Sequence, residues 1–112
     1  MLREAFTGGY LKGIAHITGG GIHGNLPRIL GDSVAGQIDR STWTVPPLFS
    51  LIQSEGHITD AEMFHTFNMG VGMVLVVAED NLDAALTLPG AWRVGNVEAR
   101  GTGGAVRGLP DR

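Results

Sequence analysis

Apolar and polar positions change their spacing several times along the chain, and each change predicts a new element. Lys12 to Ile17 (KGIAHI) is a short β-tolerant run ending in three glycines, which predicts a strand that delivers the chain into a loop. Ile22, Leu26, Ile29 and Leu30 then recur at helical spacing, but Pro27 cannot sit inside a long helix, so a short helix is expected to start at the glycines and end or kink near Pro27. Val34 to Asp39 predicts a second strand. Pro46-Pro47 presets the first turn of a helix to about Ser54, closed by Gly56. Leu48, Phe49, Leu51 and Ile52 on that helix are expected in the core or against a partner chain.

Thr59-Asp60-Ala61-Glu62 has the capping-box pattern, in which a threonine hydroxyl satisfies an early helix amide, and a helix through Met63, Phe64 and Phe67 follows. Met69 to Val77 (MGVGMVLVV) reads as a buried strand. Glu79 and Asp80 place negative charge at the start of a helix to about Leu88, where the peptide dipoles favour it. Pro89-Gly90 turns the chain into a last strand, Ala91 to Ala99, and the glycine-rich run from Gly101 to Arg112 reads as a flexible tail. Strands alternate with helices. The expected fold is α/β or α+β: a single two-layer domain, with a mixed β-sheet and helices packed on one face.

Composition narrows what such a domain does. With 112 residues, 43% of them hydrophobic and 17% charged, the chain is long enough to build one core and too apolar to be disordered. Eight basic residues against eleven acidic ones give a net charge of −3 without a basic block, so nucleic acid and anionic membranes are not expected partners. The longest apolar run, Met73 to Ala78, is too short to span a bilayer, and with no cysteine in the chain a reducing cytoplasm is the expected location. Eighteen glycines are about twice the usual share, so their placement carries the information.

Two of the glycine clusters are candidate sites. At His16-Ile17-Thr18-Gly19-Gly20-Gly21, a strand ends, bare backbone amides follow and a helix begins, an arrangement suited to a phosphate. Thr18 adds a hydroxyl, Asn25 an amide and His16 a proton donor; the competing reading is a tight turn with close helix-to-strand packing. The spacing matches neither the P-loop nor the dinucleotide fingerprint. In the second cluster, Gly70 and Gly72 lie on one face of the expected strand and leave it bare, with Asn68 at its entrance as a ligand group or a turn former. Asp39-Arg40-Ser41-Thr42-Trp43 reads as a capped turn with Trp43 filling the core. The spacing of His16, His23, His57 and His65 supports no metal site made by this chain alone.

HITGGG at 16–21, Asn25-Leu26-Pro27-Arg28, Ile38-Asp39 with Ser41, Trp43 and Pro46-Pro47, and Glu62-Met63-Phe64 followed by Thr66-Phe67-Asn68-Met69-Gly70-Val71-Gly72-Met73 stand in one order. Together they resemble the C-terminal domain of the phosphoribosylformylglycinamidine cyclo-ligase (aminoimidazole ribonucleotide synthetase) family over residues 10–98. The resemblance departs at Gly24, where the family often carries an acid, and at Arg40. It implies an ATP-dependent ring closure of formylglycinamidine ribonucleotide in purine biosynthesis. An N-terminal domain, absent here, would hold much of the ATP and Mg²⁺ apparatus and form a homodimer. It further implies that residues 1–100 are the C-terminal domain, that Met1 to Glu4 fall inside its opening helix, and that the chain is a piece of a longer protein. His16, Thr18, Gly19, Gly20, Gly21, Asn25 and Asn68 would bind substrate or phosphate, with no catalytic base assigned. The alternatives are the C-terminal domain of a selenophosphate synthetase, a thiamine-monophosphate kinase, a hydrogenase maturation enzyme or a formylglycinamidine ribonucleotide synthetase, or a non-catalytic interaction domain.

Overall fold

The computed structural model describes residues 11–111; the expectation for Met1 to Glu4 lies outside them. Among the described residues the order is β1 (Leu11–His16), α1 (Gly21–Asn25) running into a 3₁₀ turn (Leu26–Arg28), β2 (Val34–Ile38), a 3₁₀ turn (Arg40–Thr42), α2 (Pro47–Gly56), α3 (Asp60–Thr66), β3 (Met73–Val77), a 3₁₀ turn (Glu79–Asn81) with α4 (Leu82–Ala85), β4 (Gly95–Ala99) and β5 (Val106–Arg107). This is the α+β domain that the alternation of elements predicts. Its strands fall into two sheets: β1 with β3, antiparallel, and a mixed sheet in which β2 lies between antiparallel β4 and parallel β5.

The helix signals act as the sequence indicates. Thr59 caps α3, its Oγ1 accepting from the Glu62 N–H at 3.2 Å, and Pro47 opens α2 at its first turn. At Pro27 the short α1 gives way to the 3₁₀ turn, as a residue without an N–H requires. The core gathers α1, α3 and both sheets around Ile17, Ile22, Met63 and Phe64, all almost fully buried.

Several expectations change. β3 begins at Met73 and not at Met69, because Met69 (φ 55°) and Gly70 (φ 99°) take consecutive left-handed conformations that no strand can contain. Gly70 and Gly72 therefore do not share a strand face. On α2, Leu48 and Leu51 are exposed, at 61% and 57%, which removes the core reading for them but not the partner-chain one, while the flank with Phe49 packs inward, against Phe67. The helix expected to reach Leu88 stops at Ala85, and the last strand starts at Gly95.

The run after Gly101, expected to be loose, is docked. The Gly36 N–H donates to Ala105 O at 2.8 Å, β5 follows in parallel with β2, and Leu109 is buried in the core cluster. Two arginines fasten it: Arg107 donates to Arg100 O and meets Glu98 at 3.3 Å, while Arg100 itself donates to Val34 O and Gly31 O. Leu109→Ala is expected to destabilise the protein by roughly 2–3 kcal/mol, the usual cost of emptying a buried leucine site. A shift in the urea midpoint measures this; a loose tail would leave the midpoint unmoved.

Candidate functional site

β1 ends at His16, whose side chain is exposed, and the Ile17 N–H donates to Gly72 O at 2.9 Å, extending the β1–β3 pairing by one step. That bond lays the glycine loop beside the Asn68–Gly72 turn, so the two glycine clusters of the sequence meet at one junction. Thr18 and Gly19 are exposed, Gly20 is half-buried and Gly21 is buried.

The three glycines serve different needs. A side chain at Gly19 would meet nothing within 4 Å. Gly20 takes φ 99°, a left-handed conformation that glycine adopts without cost. Gly21 is required by contact: a Cβ there would collide with the carbonyl oxygens of Phe64 and Phe67 at the end of α3. The close approach anticipated for a ligand at Gly21 is thus made by a helix of the same chain. The bend is nevertheless exposed at Thr18 and Gly19 and partly so at Gly20, and among the described residues nothing accepts from the N–H groups of Gly19 and Gly20.

Asn25 is 5% exposed, and its amide N–H₂ donates to Gly21 O (2.8 Å), Gly19 O (3.2 Å) and Thr18 O (3.3 Å). It shapes the loop from beneath, turning those carbonyls inward. Asn68 is similarly occupied, its Oδ1 accepting from the Gly70 N–H at 2.9 Å to close the turn. Trp43 joins this turn to the Asp39 segment, its Nε1 donating to Met69 O at 3.0 Å. Asp39 caps the 3₁₀ turn, accepting from Ser41 Oγ (2.6 Å) and the Ser41 N–H (2.9 Å); these hydrogen bonds hold its carboxyl below the usual carboxylate range.

His16, Thr18 and Gly19 to Gly21, with Asn25 behind them, therefore form one surface with the Asn68 turn at its side. An apolar cleft of about 640 Å³ lies elsewhere, between the two sheets, lined by Leu30, Val74, Leu82, Trp92 and neighbours, and none of the predicted site residues borders it. One group was missed by sequence spacing. His23 and His65 stack with ring centroids 4.1 Å apart, and Asp111 reaches His65 from the end of the chain. The helical packing that brings them together leaves no signature in a one-dimensional separation of 42 residues between the histidines.

Residues 1–107 match the family model described as AIR synthase related protein, C-terminal domain. The chain belongs to this family. It is 45% identical over 100 residues to the phosphoribosylformylglycinamidine cyclo-ligase of Methylobacillus flagellatus, covering 85% of this chain and 29% of the relative. The enzyme of the same name from Shouchella clausii is 54% identical over 78 residues, covering 70% of this chain and 23% of the relative. The chain thus spans less than a third of the length of these relatives and corresponds to their C-terminal part. Among the described residues no helix is long and apolar enough to cross a membrane.

Two measurements test the local geometry. Gly21→Ala should destabilise the domain by roughly 2–4 kcal/mol, because backbone has to move, whereas Gly19→Ala should stay within about 0.5 kcal/mol; thermal and urea unfolding separate them. Asp39 favours the folded state in its charged form, so its contribution is complete above the ordinary carboxylate value near ~3.9 and is lost as pH falls through its lowered folded value. Carboxyl-resonance titration should place Asp39 below that value, and Ser41→Ala should return it upward.

Proposed function

We propose that this chain is the substrate-receiving C-terminal part of a phosphoribosylformylglycinamidine cyclo-ligase, working with an N-terminal domain that carries the nucleotide machinery. The observation that carries the reading is the bend at exposed Thr18 and Gly19 and half-buried Gly20, bare of side chains at both glycines and braced by Asn25, in a chain of this family. Two open amides and the Thr18 hydroxyl suit a phosphate group, either the ribose phosphate of formylglycinamidine ribonucleotide or the terminal phosphates of ATP. In this reading Gly19 and Gly20 touch the phosphate, His16 stands at the rim, and Gly21, Asn25 and Asn68 hold the loops in shape.

Mg²⁺ does not fit the same surface. Mg²⁺ prefers oxygen ligands, and no carboxylate belongs to the Thr18–Gly20 loop or to the Asn68 turn. No Lys, Arg, Asp or Glu stands between Thr18 and Gly21 or between Asn68 and Gly72, so these two loops themselves bring no charged side chain to the phosphate. The ATP and Mg²⁺ apparatus is accordingly assigned to the N-terminal domain, along with dimer formation.

The test joins this chain to the N-terminal part of the Methylobacillus flagellatus relative and assays ATP-dependent ring closure, with selenide and thiamine monophosphate as rival substrates. Ring closure is expected from the joined protein and none from this chain alone. Gly19→Val should lower ring closure by at least about tenfold while leaving the unfolding midpoint in place, since space at Gly19 is open. Turnover with a rival substrate, or closure unaffected by Gly19→Val, would overturn the assignment. Ribose 5-phosphate titrated into the isolated chain should shift the Gly19 and Gly20 amide resonances; a pure interaction domain would show no such shift.

A further inference from the structure

His23 lies on α1, His65 on α3 and Asp111 past β5, three elements that meet on one side of the glycine loop. Their imidazoles stack in parallel, with planes 2° apart and centroids 4.1 Å apart. His65 Nε2 lies 2.7 Å from Asp111 Oδ1, and His23 Nε2 donates to Pro110 O at 2.9 Å. One ligand atom from each of the three side chains lies within 4.8 Å of the others, and this is the grouping of this kind found among the described residues. Hydrogen bonds thus hold two imidazoles and a carboxylate together on a partly exposed surface.

The geometry points to a binding site for a late first-row divalent cation, Zn²⁺ or its neighbours Co²⁺ and Ni²⁺, held by His23, His65 and Asp111. Two imidazole nitrogens with one carboxylate oxygen suit those ions, whereas Mg²⁺ and Ca²⁺ prefer all-oxygen sites. Metal–ligand bonds of about 2.0–2.2 Å require ligand atoms roughly 3.3 Å apart, so the His65–Asp111 pair opens slightly and His23 closes in. Because the lone pairs of two parallel rings lie in separate planes, binding also swings one ring out of the stack, a side-chain rotation open to half-buried His23 and His65. The cation takes the place of the hydrogen bond between His65 Nε2 and Asp111 Oδ1, the neutral His65 ring then carrying its one proton on Nδ1, and His23 coordinates through Nδ1 while its Nε2–H goes on donating to Pro110 O. Three protein ligands leave at least one position for water.

The consequence is a clip. A cation bound here ties the segment after β5 to both helices whose contact shapes the glycine loop, and so adds its binding free energy to the docking of the chain end. The site is independent of the proposed ring closure, because it needs no substrate and excludes Mg²⁺.

The test uses the 112-residue chain without an affinity tag, stripped with chelator. Zn²⁺ followed by calorimetry should bind once per chain and raise the unfolding midpoint by several °C, and Mg²⁺ should do neither. His65→Gln and Asp111→Asn should each weaken Zn²⁺ by at least about tenfold, with His16→Gln and His57→Gln unchanged. Zn²⁺ affinity equal in all four variants, or absent in the unaltered chain, overturns the site. Should a variant unfold, Co²⁺ added to the unaltered chain decides: the ring resonances of His23 and His65 should broaden first, and broadening centred on His16 or His57 refutes the proposal.

Discussion

The contact between the first residue of α1 and the last turn of α3 governs this domain. Gly21 presses its bare Cα against the Phe64 and Phe67 carbonyls, at a distance no side chain permits. Met63 and Phe64, just before that turn, are the most deeply buried large residues of α3. The helix that builds the core therefore also fixes where α1 begins. From that one contact follow the outward face of Thr18 to Gly20, the inward direction of the loop carbonyls toward Asn25, and the alignment of His23 with His65.

The loops around this contact are ordered by hydrogen bonds to side chains more than by apolar burial. Asn25 gathers three carbonyls, Asn68 closes the next turn, and Trp43 ties that turn to the strand-end segment capped by Asp39. Each such bond contributes only about 1 kcal/mol net, but an unsatisfied partner in these partly buried positions would cost more. The result is a rigid, neutral surface. It carries no charged side chain between Thr18 and Gly21.

The chain end belongs to the same body. β5 adds the parallel edge to β2, Leu109 enters the core, and Pro110 and Asp111 engage the two stacked histidines. The glycines around it make a path that passes close to β2, where Arg100 and Arg107 bind carbonyls. Composition alone suggests a tail because these contacts use single residues, one leucine and two arginines, and no periodic apolar stripe.

Local chemistry was legible without tertiary information. Thr59 as a cap, Pro27 as a stop, Pro47 as a start, the β1 and β2 strands and the α+β class all follow from rules that act within a few residues. The family resemblance was legible too, from the order of four motifs along the chain. What the tertiary structure alone decided involves residues far apart in the chain: which glycine faces solvent and which faces α3, that Gly70 turns under Pro46 and Trp43, that Leu48 and Leu51 stay outside, and that His23, His65 and Asp111 meet. The physical reason is common to all of these. A sequence states what backbone a glycine permits or what a histidine can bind, whereas the partner that takes up that capacity is set by packing between elements, which local periodicity does not encode.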